Sequence, residues 1–331
     1  MARLIKLRFD RRHKVRSLVW AGDVLIDAVG GEASIALDGP AQTSTVNWAF
    51  SFDRALLAPT GLRVLYSVMG TKGIVATPHR AVREINRSYY CANAYEYPVA
   101  VGRLDDGREV LVHCPDGYNR LTIEALVDGE RLCSATDEAV DVFHSRLQLS
   151  PDGCHLLSAG WVWQPLGVAT VHDIGEAIQD QAHLDSWGVF PWGSVAGQVE
   201  SASWLGSDLF VVSTDPELPP VDIEGDGLPA GHLGVWSLGS GGWVAQNPFD
   251  GHTGTMHQFG PYMLCLFDHP RLIDPMTGQI VEEWPGIATG HQRSGIMARN
   301  TERVPPFAVD LGHTRFAVAN DDLVFVVELE D

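Results

Sequence analysis

The stretch SRLQLSPDGCHLLSAG, Ser145 to Gly160, decides how the rest of the chain is read. Leu147 and Leu149 alternate with Arg146 and Gln148, the period-two pattern of a half-buried strand. Ser150-Pro151-Asp152-Gly153 then supplies a tight turn, with Gly at the position that favours positive φ. An apolar run from Cys154 follows. The segment is strand, turn, strand.

Working outward, the same unit recurs. Gly-containing turns stand at Gly22, Gly61, Gly107, Gly153, Gly206, Gly260 and Gly312, between 39 and 54 residues apart. After each comes a strand-length apolar run: DVLIDAV, LRVLYSV, REVLVHC, CHLLSAG, DLFVVST, YMLCLF and TRFAVA. A third run follows in each unit: ASIAL, GIVAT, RLTIEAL, GVATVHDI, LGVWSL, RLID and LVFVVEL. Fourth-strand candidates include TVNWAFS, AVREINRS, GERLCS, WVAQNP and QIVEEW. Four short antiparallel strands per unit, repeated seven times, predict an all-β fold, a seven-bladed β-propeller.

The seventh unit ends after its third strand, whereas LIKLRF, Leu4 to Phe9, precedes the first unit. Pairing this spare strand with the last blade closes the ring and removes an open edge. One domain over residues 1–331 is expected, with strand 4–9 completing the last blade. The one fair helix candidate is GEAIQDQAHLD, Gly175 to Asp185.

The strand–turn–strand unit at Ser145–Gly160 and LIDPMTGQIVEEW, Leu272 to Trp284, resemble WD-repeat and related bacterial β-propellers. No Trp-Asp dipeptide ends a third strand, and no repeated Gly-His opens a unit. The hydrogen-bond network of WD repeats is therefore not carried over. NRSYYCANAYEYP and FHSRLQLSPDG look like uncharacterised bacterial propeller proteins, and that likeness implies no activity.

Composition narrows the function classes. The 331 residues hold 23 Lys and Arg against 42 Asp and Glu, a formal charge of −19. Such an acidic chain argues against nucleic acid as partner. The bases of the first sixteen residues, Arg3 to Arg16, read as the solvated face of a strand. No eighteen-residue apolar run predicts a membrane helix, and no secretory signal is read at the N-terminus. Five cysteines without a Cys-x-x-Cys pair argue against a disulfide framework and fit the cytoplasm.

Loops opposite the Gly turns are long and aromatic. A recognition surface for a protein or small molecule is expected there, with Tyr95, Tyr97, Trp161 and Trp163 as its leading aromatics. Trp187, Phe190 and Trp192 stand equally between recognition and loop stiffening. Tyr97, His144, Arg146, Glu200, His257 and Arg293 sit at first-strand entrances, where blades converge. With His252 and His291 they form the candidate polar set for a ligand. No His-Glu-x-x-His, Gly-x-Ser-x-Gly, phosphate loop or dinucleotide fingerprint occurs. No catalytic residue, metal or cofactor is assigned, and a non-enzymatic binding module is expected. The alternative is a propeller hydrolase or lyase with His144, His257 and His291 around the axial mouth, with or without a metal. Asp222, Glu224 and Asp226 match half of a calcium loop, but the closing Glu is missing, so they read as a solvated acidic loop.

Overall fold

The computed structural model describes residues 2–8, 14–44, 46–218, 227–296 and 302–329. The acidic segment around Asp222, Glu224 and Asp226, and Phe9 of the closing strand, lie outside the described residues.

Seven antiparallel sheets follow one another along the chain. Blade one holds Val19–Ala21, Val24–Asp27 and Ala33–Ala36; blade two runs from Arg54–Leu57 to Ala81–Asn86. Blade three runs from Val99–Arg103 to Arg131–Ser134, and blade four holds Gln148–Leu149, His155–Val162 and Leu166–Asp173. Blade five runs from Val199–Trp204 to Gly242–Pro248, and blade six from Thr255–Phe259 to Gln279–Glu283. Blade seven combines Phe307–Asp310, Arg315–Asn320 and Leu323–Leu329 with the N-terminal strand Ala2–Arg8. That last pairing is antiparallel and in register from Ala2 opposite Leu329 to Arg8 opposite Leu323.

Period-two side-chain alternation explains the ring. In the second strand of blade four, Leu156 packs toward blade three and Leu157 toward blade five. Val211 and Val212 divide in the same way between blades six and four. Seven apolar clusters result, one for each pair of neighbouring blades, including the seam of blades seven and one. Both faces of each sheet are thus covered, as buried strands with little polar alternation require.

The turn glycines are used where the backbone demands them. Gly153 has φ +75°, and a Cβ there would sit 2.1 Å from the Arg103 carbonyl oxygen. The seventh turn differs: Gly312 is not left-handed, and Thr314 adopts φ +46° instead.

Two fourth strands depart from the sequence pattern. TVNWAFS forms no strand among the described residues; Trp48 donates its indole N–H to the Ala28 carbonyl at 2.9 Å and packs beside the blade one–two cluster. Blade four ends in helices instead, Ile174–Gln179 and Ala182–Asp185. Asp173 caps the first by accepting from the Glu176 amide at 2.8 Å. Ile174, Ala177 and Leu184 then seal the blade three–four cluster. Among the described residues, no helix is long and apolar enough to cross a membrane.

Candidate axial binding site

First strands of all seven blades line one cavity of about 780 Å3. Gly22 and Pro59–Gly61 mark its end on the Gly-turn face, while Glu96, Arg146, Gln292 and Val304 mark the other. Leu18, Val19, Leu56, Val99, Phe307 and Val309 give it apolar walls.

Arg146 is the central polar group. Its backbone is left-handed, φ +46°, a conformation that costs a non-glycine residue about 1–2 kcal/mol. The side chain is only 5% exposed. Nε donates to Glu96 Oε1 at 3.0 Å, and Nη1 donates to Ser201 Oγ at 3.3 Å and the Gly254 carbonyl at 3.1 Å. Gln292 also donates to Glu96. Among the described residues, Arg146 Nη2 is buried without a hydrogen-bond partner.

His257 lines the same cavity, and its Nε2 is likewise buried and unpartnered. Burial first, and the Arg146 charge second, pull its pKa down to about 4, so the imidazole is neutral at pH 7. Arg54 donates to the Asp53 and Val304 carbonyls at 2.9 and 2.6 Å. Among the described residues no carboxylate pairs with it; the Asp53 carboxylate is taken by Arg303 at 3.2 Å and the Val68 amide at 2.8 Å.

A smaller cavity of about 280 Å3 adjoins this layer, lined by Glu200, Asp215 and Arg293 among others. Ser201 and Gln292 face the large cavity, and their chain neighbours Glu200 and Arg293 face the small one. Glu200 is fully buried, accepting from the Gly254 amide at 3.0 Å and lying 3.3 Å from His252 Nδ1. Burial pushes its pKa up. Burial opposes protonation of His252, but Glu200 more than offsets it and the net shift is upward. His252 Nε2 stands 3.7 Å from Glu217, which pairs with Arg293.

Of the residues expected from sequence, Tyr97, Arg146 and His257 meet at the axial cavity, while Glu200 and Arg293 line the small one, with His252 lying between Glu200 and Glu217. The others go elsewhere. His144 is buried away from the axial cavity, 3.1 Å from Ser158 Oγ, and burial lowers its pKa to about 3. His291 is surface-exposed and paired with Asp268 and Glu302. No hydrogen bond, ion pair or ring contact among the described residues joins His144, His257 and His291, and none of the described residues forms a metal-binding cluster.

The expected aromatic surface is largely interior. Tyr95 and Trp161 are 1% and 3% exposed, and Phe143 stacks on Trp161 at 3.9 Å. Phe190 is buried against Phe210, Trp236 and Trp243. Trp163 and Trp192, at 50% and 52% exposed, face outward, with the Trp192 ring 4.3 Å from that of Trp187. Arg54, Glu96, Gln292 and Ser201 were missed. Glu96 directly precedes Tyr97 and Gln292 directly precedes Arg293, so adjacency to expected entrance residues was the available signal.

The chain is similar along nearly its whole length to a chain of hydrazine synthase from Kuenenia stuttgartiensis. The TM-score is 0.63 at 13% identity, covering 98% of this chain and 97% of that one. At that identity the likeness shows the fold alone. Solved structures contribute 733 matching chains, a breadth that gives the fold no functional weight. No protein-family model matches, and no curated protein does. The WD-repeat resemblance therefore stands at the level of the propeller fold.

Proposed function

We propose that this protein is a non-enzymatic binding propeller that takes a small molecule into its axial cavity. The carrying observation is a cavity of about 780 Å3 whose lining includes four buried polar atoms without a hydrogen-bond partner among the described residues, Trp20 Nε1, Tyr97 Oη, Arg146 Nη2 and His257 Nε2. A buried unsatisfied donor costs about 1–3 kcal/mol, a penalty that an occupant removes. The volume lies within the usual range of ligand sites, apolar walls with a few convergent polar groups. Five free cysteines are in keeping with the cytoplasm. Tyr89, Tyr90, Trp163 and Trp192 are exposed aromatics that a protein partner would meet on the loop side.

The test is native mass spectrometry of the purified protein in a metabolite extract, beside the cavity-filling variant Ala55→Trp. One molecule per chain is expected on the wild type and none on the variant, with both folded by circular dichroism. Equal retention by both proteins would refute the reading. A second reading, acid–base chemistry on the loop face, draws on the Glu200–His252 pair. Recovery of the extract molecule chemically changed would favour it.

A further inference from the structure

The polar inventory of the axial cavity is unbalanced in sign. Two guanidiniums, Arg54 and Arg146, and one carboxylate, Glu96, line it, with His257 neutral at pH 7. Glu96 is already engaged by Arg146 Nε and Gln292. Among the described residues, Arg54 is held only by backbone carbonyls. One positive charge is therefore uncancelled inside a protein whose formal charge is −19. Burial, and then the Arg146 charge, oppose protonation of His257, so it adds no second cation. The free guanidinium nitrogen of Arg146 offers a charge-assisted hydrogen bond, the stronger kind. Leu18, Val19, Leu56, Val99, Phe307 and Val309 offer only apolar contact to the remainder of an occupant.

We propose that the axial cavity selects molecules with an apolar body and a single acid group, which is seated on Arg146 with His257 beside it. Arg54 supplies the long-range attraction. This deepens the axial-binding reading and rests on it.

A matched pair of fluorescent probes tests it: 8-anilinonaphthalene-1-sulfonate, and N-phenyl-1-naphthylamine, which has the same ring body without the acid. The sulfonate is expected to bind once per chain, about tenfold or more tighter than the neutral probe, and to weaken with added salt. Arg54→Gln should lower affinity for the sulfonate alone, Arg54→Lys should keep the preference, and Ala55→Trp should weaken both probes. Circular dichroism confirms that each variant is folded. Equal or tighter binding of the neutral probe, still blocked by Ala55→Trp, would overturn the acid-group selection and leave axial binding standing. Binding that ignores Ala55→Trp, or no binding of either probe, would overturn both.

Discussion

At the scale of single residues, buried histidines set the acid response. His144, His172 and His257 have pKa values lowered to about 3, 4 and 4, mainly by burial. Each is neutral when folded and titrates normally when unfolded, so the unfolded state binds more protons below pH 6.5. Stability therefore rises with pH through the window from about 4 to 6.5, and acidification erodes it. Shifts of this size are worth about 3–5 kcal/mol per residue once fully expressed. Thermal melting is expected to fall steeply between pH 6.5 and 4, and His144→Gln should flatten that slope. An unchanged slope in the variant would remove His144 from the account. Residue type and turn position were legible here, but side-chain direction was not. His144 and Arg146 lie on one short segment, yet one is sealed between sheets and the other reaches the axis, because Arg146 turns left-handed between them and the strand.

At the scale of elements, the strands carried strong signals and the exceptions have identifiable causes. Second and third strands were readable because both faces are buried, giving continuous apolar runs such as YMLCLF. Fourth strands sit on the rim and are half solvated; their alternation is weak, and TVNWAFS was misleading because Trp48 reaches inward to Ala28. The one helix candidate, Gly175 to Asp185, overlaps the helices Ile174–Gln179 and Ala182–Asp185, while the capping role of Asp173 was not read from the sequence. The closing strand Ala2–Arg8 carries the largest consequence. Deleting residues 1–10 removes its pairing with Leu323–Leu329 and exposes the edge of blade seven. Size-exclusion chromatography should show the truncated chain aggregating, with a lower melting temperature. A monomer with an unaltered melt would mean that closure contributes nothing to stability.

At the scale of the whole molecule, the seven-bladed ring was legible because a repeat is a one-dimensional signal. The axial site was not, because its residues are contributed by all seven blades from stretches far apart in the sequence. Glu96, Arg146 and Gln292 are far apart in the chain and become a single layer only after the ring forms. The register of Ala2 against Leu329 also has a topological outcome. The two ends lie side by side, so a short linker would join them into a circle without a detour. Cutting that circle at the exposed Gly239–Ser240 turn would leave Gly242–Pro248 as the new leading strand, latching blade five from the opposite end. Such a circular permutant should refold with the parental circular-dichroism spectrum, because the polypeptide's start point is arbitrary to a structure whose seam can be moved from one vane to another.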